Sequence, residues 1–124
     1  MRVWNQKIYT APGVITTTDV SDVFQTEHTV GFKVQINYTA TGLVVVEDPL
    51  LEFTVSVEGS TDYGLVRDKS TAQWASIGRQ IVATAGSPIN INVSDAYGPF
   101  YRVKTTVTIG QIDTLEAYVY AKGV

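Results

Sequence analysis

His28 is the only histidine in this chain, and there is no cysteine. A single imidazole cannot build a histidine-rich metal site, and a catalytic triad would still need a nucleophile and an orienting acid around it. His28 lies in Gln25-Thr26-Glu27-His28-Thr29, which reads as a loop before a strand. It is expected to be an ordinary surface histidine. Without cysteine there are no disulfides, thiolate metal ligands or thiol nucleophiles. The carboxylates are no better placed. Glu47 and Asp48 are neighbours and point oppositely in extended chain. Glu52 and Glu58 share the polar face of one strand but stand about 20 Å apart at about 3.3 Å per residue, too far to act on one bond. Asp62 and Asp68 share a long loop with Glu58 and could offer oxygen ligands to calcium, but the spacing is not that of an EF-hand. They read as solvated loop charges. No glycine pair precedes a helix, so there is no phosphate cradle. The expectation is a protein that is not an enzyme, with no catalytic, cofactor-binding or metal-binding residues.

Aromatic side chains are the remaining reservoir of chemistry. Phe32, Tyr38, Phe53 and Tyr101 fall on the apolar side of alternating segments, so a core explains them. Trp74 follows a long loop and is expected in the core or capping one end. Trp4, Tyr63, Tyr118 and Tyr120 have no such assignment. Tyr118 and Tyr120 stand out because they share the polar face of the last alternating run with Glu116 and Lys122. Aromatic residues on an outward strand face are enriched at protein interfaces and carry flat, amphipathic surface. With Arg102 and Lys104 on the polar face of the preceding run, the candidate interface is Trp4, Tyr63, Arg102, Lys104, Tyr118 and Tyr120. A neighbouring subunit, a sugar, or the chain's own N-terminal segment could cover the tyrosines.

The elements that position these residues are strands. In Phe100 to Ile109, Tyr101, Val103, Thr105, Val107 and Ile109 share one face; in Leu115 to Lys122, Leu115, Ala117, Val119 and Ala121 do so. A turn over Gly110 to Asp113 joins the two runs, which read as a closing hairpin with Glu116 facing Arg102 or Lys104. Phe32 to Tyr38, Leu51 to Val57 and Ile89 to Val93 alternate as cleanly, and Leu43 to Val46 is a short run between the first two. Turns are marked by Ala11-Pro12-Gly13, Glu47-Asp48-Pro49, Ala85-Gly86-Ser87-Pro88 and Gly98-Pro99. No segment holds a 3.6-residue period over three turns. Seven to nine short strands at this spacing predict an all-β fold, an antiparallel β-sandwich of jelly-roll type with an extended N-terminal arm. Residues 1–29 form the arm or edge-strand region and residues 30–124 the sandwich domain.

The totals narrow the partners. The chain has 124 residues, 44% of them hydrophobic, enough for one domain with a core. Its net charge of -3 and its scattered Lys and Arg argue against nucleic acid. No apolar stretch nears the roughly 20 residues needed to span a bilayer, so no membrane partner is expected. The segment from Met1 to Lys7 lacks the apolar region of a signal peptide, which makes cytosolic synthesis the default.

Several stretches together resemble a known family. They are Tyr38-Thr39-Ala40-Thr41-Gly42, then Phe53 to Asp62 ending Val57-Glu58-Gly59-Ser60-Thr61-Asp62, Trp74-Ala75-Ser76-Ile77, Tyr101-Arg102-Val103-Lys104, and Leu115 to Lys122. Over residues 34–122 this order is similar to small β-sandwich proteins of tailed-bacteriophage virions. This chain differs in a longer loop between Asp62 and Trp74. The resemblance implies a virion structural protein, made in the host cytoplasm. The expectation is a homo-oligomeric capsid decoration or cement protein that stabilises the particle through strand-face and arm contacts, with a neck or tail component as an alternative. The resemblance implies no catalytic residues and no cofactor. The implied partners are copies of itself and a major capsid or other virion protein. The other alternative is a carbohydrate-binding, host-adhesion module that stacks a glycan on exposed Tyr and Trp.

Overall fold

The computed structural model describes residues 3–25, 29–44, 49–60, 74–83, 86, 88–93 and 100–123. Every regular element among them is a strand: β1 (Val3–Thr10), β2 (Thr18–Val20), β3 (Phe24–Gln25), β4 (Thr29–Thr41), β5 (Leu43–Val44), β6 (Pro49–Leu50), β7 (Glu52–Ser60), β8 (Ala75–Val82), β9 (Ile89–Val93), β10 (Phe100–Ile109) and β11 (Gln111–Gly123). One antiparallel sheet, sheet A, runs β1-β11-β4-β9. The other, sheet B, runs β2-β10-β7-β8, with β3 also on β10. If β2 and β3 count as one interrupted strand and the small β5–β6 ladder is set aside, eight strands remain. In chain order the sheets then read first-eighth-third-sixth and second-seventh-fourth-fifth. That is a jelly roll, built from two interlocked Greek keys.

The core follows from the alternation. Sheet A contributes Phe32, Val34, Ile36, Tyr38, Ile89, Ile91, Leu115, Ala117 and Val119, and sheet B contributes Phe53, Val55, Val57, Tyr101, Val103 and Val107, all buried. Phe24, Phe32 and Tyr101 form an aromatic cluster with ring centroids 4.8–6.0 Å apart, and Tyr38 packs edge-on against Phe53 at 5.1 Å. Such edge-to-face contacts contribute about 0.5–1.5 kcal/mol each beyond area burial.

The last two strands correct the hairpin expectation. β10 belongs to sheet B and β11 to sheet A, and they are not hydrogen-bonded neighbours. Each has one apolar face, and two such strands can share a core side by side or face to face. Here they face each other across it. The chain crosses between sheets at Gly110, whose φ is +89°. A Cβ there would meet the Thr41 carbonyl oxygen at 2.9 Å and Leu51 Cδ1 at 2.8 Å, so only glycine fits. Bulges flank the crossing, between Val107 and Ile109 on one side and Ile112 and Thr114 on the other. Asp113, in the second bulge, accepts hydrogen bonds from Thr41 and Gln111, both at 2.6 Å. These two bonds hold its carboxyl below the usual carboxylate range.

The N-terminal region takes the edge-strand form within its own sandwich. β1 pairs with β11 along the edge of sheet A, while β2 and β3 pair with β10 along the edge of sheet B. Four side chains hold it there. Ile15 and Phe24 enter the core, and the Tyr9 hydroxyl donates to both carboxylate oxygens of Asp19 at 3.0 Å. Ser21, 1% exposed, accepts the Val103 amide on its hydroxyl at 2.8 Å while its own amide bonds the Val103 carbonyl.

Candidate functional site

Tyr118 and Tyr120 project from the middle of the outer face of sheet A. The register explains what surrounds them. Directly paired residues share a face, so Asn5, Tyr120, Lys33 and Asn92 line up in one row across β1, β11, β4 and β9. Lys7, Tyr118, Gln35 and Asn90 form the next row, and Glu116 and Asn37 continue into a third. No outward position in these rows carries an aliphatic side chain. Each ring has a charged neighbour. The Tyr118 hydroxyl donates to Glu116 Oε2 at 2.7 Å, and the Lys33 ammonium sits 4.9 Å from the centre of the Tyr120 ring. The bond to Glu116 raises the Tyr118 hydroxyl above the usual tyrosine pKa. Gln35 donates to Asn37 at 3.1 Å, and Asn90 and Asn92 are exposed.

Arg102 and Lys104 lie on the opposite side of the molecule, on the outer face of sheet B. Arg102 does not meet Glu116. Its register partner is Glu58, whose Oε1 accepts the Arg102 Nε hydrogen at 2.8 Å, with side-chain exposures of only 15% and 13%. The guanidinium also lies 4.4 Å from the Trp74 ring centre. Trp74 sits immediately before β8, at the end of the sandwich where β7 finishes, and its indole N–H is buried with no acceptor among the described residues. Lys104 pairs with Ser56 and Val20 in the sheet. Trp4 pairs with Ala121 in the backbone ladder of sheet A. The candidate interface residues therefore do not form one surface. Tyr63, His28, Glu47, Asp48, Asp62 and Asp68 fall outside the described residues. Among those described, no three His, Cys, Asp or Glu side chains group as metal ligands.

A third surface lies at one end of the sandwich. Five large aliphatic side chains among the described residues are exposed: Val14 (55%), Leu43 (54%), Val44 (66%), Leu50 (49%) and Ile81 (59%). All lie toward one end of the sandwich, the end of the Gly110 crossing. Leu43 pairs with Leu50 in the β5–β6 ladder that bridges the two sheets there. Ile15, next to Val14, bridges to Ile112. Ile81 pairs with Thr54, two residues from Glu52, which in turn pairs with Ile109. A hollow of about 390 Å³ opens beside the ladder, between residues 41–43 and 108–111. The run Leu43 to Val46 gave a hint in its apolarity, but alternation alone read it as one more strand of the sheets.

No protein-family model matches the chain, and no curated protein matches it in sequence. In fold it is similar to the SPBc2 prophage-derived protein YomS, with a TM-score of 0.51 at 13% identity, covering 96% of this chain and 93% of that one. It is also similar to the CBM22-1–GH10 modules of Clostridium thermocellum xylanase 10B complexed with xylohexaose. There the TM-score is 0.46 at 14% identity over 82% of this chain and 19% of that one. For the Yersinia pseudotuberculosis-derived mitogen the TM-score is 0.42 at 15% identity, over 99% of this chain and 86% of that one. At these identities the likeness concerns the fold alone.

Proposed function

We propose that this chain is a non-enzymatic structural protein of a bacteriophage particle, a capsid decoration or cement protein that docks through the apolar end of its sandwich. It would be made in the host cytoplasm and carried in the virion, beside copies of itself and a capsid or other virion protein. The observation that carries this reading is the exposure of Leu43, Val44 and Leu50 on the β5–β6 ladder, with Val14, ahead of β2, and Ile81, on β8, exposed toward the same end at opposite edges of sheet B. Exposed aliphatic side chains are unremarkable singly, but a cluster marks a surface that something covers. The virion-protein resemblance of residues 34–122 supports the setting, and the fold is compatible with it.

The size of the patch says how it would be used. Fully burying an aliphatic side chain contributes about 1.5–3 kcal/mol, so covering the exposed halves of five contributes about 4–7 kcal/mol. A micromolar complex needs about 8 kcal/mol, net of the cost of association. The patch is thus too small to hold a tight pair of free molecules. It suits a contact repeated many times on a particle, where neighbours raise the effective concentration. Through this patch alone two free copies would not stay together, and the protein would be held firmly only on the assembled particle. Sedimentation of the protein with its phage particles tests this. The double variant Leu43→Ser/Val44→Ser should stay folded and remain in the supernatant; retention at the wild-type level would refute the docking end.

A further inference from the structure

The outer face of sheet A has a chemistry unlike that of the apolar end, and the docking proposal does not use it. We propose that this face binds a neutral saccharide, with Tyr118 and Tyr120 as the stacking floor and the amides of Gln35, Asn37, Asn90 and Asn92 as the hydroxyl-reading groups. This inference stands independently of the particle reading.

Three features lead to this ligand class. The first is the amides. Each side-chain amide offers an acceptor and two donors without a charge, and a sugar hydroxyl is both donor and acceptor. Asn90 and Asn92 project from one strand and Gln35 and Asn37 from its neighbour, with Asn90 directly paired with Gln35. Adjacent hydroxyls of one ring can therefore be met from two strands about 4.8 Å apart. The second is the rings. Tyr118 and Tyr120 alternate on one strand, about 6.7 Å apart. The Tyr118 hydroxyl is bonded to Glu116, and the Lys33 ammonium lies over the Tyr120 ring, so a ligand stacking on that face of Tyr120 displaces Lys33. An aromatic ring offers the C–H face of a sugar flat apolar area next to a polar hydroxyl.

The third feature is what the face lacks. A stable protein interface is built around an apolar centre depleted in Lys and Glu, whereas the rows described above hold no aliphatic side chain and include Lys7, Lys33 and Glu116. A polyanion would require an excess of free cations. Here Lys7 and Lys33 stand against Glu116, Lys33 is engaged over Tyr120, and the chain is net negative, so the face holds no cluster of free cations. A neutral, hydroxyl-rich ligand remains the chemical match.

Titration calorimetry on the full chain with neutral gluco-, galacto- and manno-configured hexasaccharides, and with a uronic-acid hexasaccharide, tests the proposal. At least one neutral hexasaccharide should bind with a dissociation constant of about 0.1–1 mM, the range suited to an open face rather than an enclosed pocket. Tyr118→Ala and Asn92→Ala should each weaken it by about tenfold or more, the equivalent of one lost contact. Tyr118→Phe should retain most of the binding, and Lys104→Ala, on the other sheet, all of it. Leu43→Ser/Val44→Ser should also bind normally, so this proposal and the docking proposal fail separately. The saccharide proposal is overturned by silence across the neutral set with the fold intact, by binding of the uronic acid alone, or by binding insensitive to Tyr118→Ala and Asn92→Ala. Finding the face covered by another protein chain in the assembled particle overturns it as well.

Discussion

Replacing Arg102 with alanine removes two contacts at once from the outer face of sheet B. The first is the ion pair to Glu58, a 2.8 Å charge-assisted hydrogen bond between side chains 15% and 13% exposed. Exposed pairs contribute about 0–1 kcal/mol, and breaking a fully buried one costs about 3–5 kcal/mol. A pair at this depth falls between, at about 2 kcal/mol. The second is the guanidinium over the Trp74 ring at 4.4 Å, which adds about 0.5–1 kcal/mol. The variant should lose about 2–3 kcal/mol, a loss a domain stable by about 5–15 kcal/mol survives. Urea unfolding followed by tryptophan fluorescence reads it, since Trp74 reports on its own contact. Arg102→Lys should recover about half, keeping the charge but not the planar fork. A cycle with Glu58→Gln should return a coupling of about 1–2 kcal/mol. If Arg102→Ala costs less than about 0.5 kcal/mol yet sharply weakens particle binding, the reasoning fails. Arg102 would then be a partner contact, as its sequence position suggested, rather than an internal brace.

Two other expectations concern the N-terminal region. Ser21→Ala leaves the Val103 amide without its acceptor in a buried setting, which should cost about 1–3 kcal/mol; urea midpoints and faster hydrogen exchange at Val103 check this, and an unchanged midpoint would contradict it. Burial, and then the bond to Asp19, push the Tyr9 hydroxyl up from 10.0 to about 12. The folded state therefore holds this proton more tightly than the unfolded chain. Its stabilising contribution is complete below pH 10 and is lost as the pH rises from 10 to about 12. Tyr9→Phe should flatten stability against pH across that window relative to the parent, and identical curves would remove the Tyr9–Asp19 link as a latch.

Much of the fold was legible because alternation reports burial directly. Phe32 to Tyr38, Phe53 to Val57, Tyr101 to Val107 and Leu115 to Val119 each turn the expected residues inward. Alternation says nothing about which strand lies beside which. That is why β10 and β11 read as a hairpin, and why the sequence points to Glu116 rather than Glu58 opposite Arg102. The N-terminal region was undecided for another reason. β2 and β3 hold three and two residues, too few for any period, and their placement rests on long-range contacts such as the two hydrogen bonds between Ser21 and Val103. Tyr118 and Tyr120 were legible as misplaced aromatics, but the amides beside them belong to other strands. Only the register brings Asn90 and Asn92 near Gln35 and the tyrosines. The apolar end was hidden too, since Leu43, Val44 and Leu50 carry the composition of a core strand and only their exposure shows that they serve none.

The most direct measurement of the central claim is a cryo-EM map of the particle that carries this protein, read for what covers each end and face of the sandwich. The account predicts Leu43, Val44 and Leu50 buried against a neighbouring chain, with the outer face of sheet A left open. A map with the β5–β6 end in solvent and the sandwich held by another surface would contradict it.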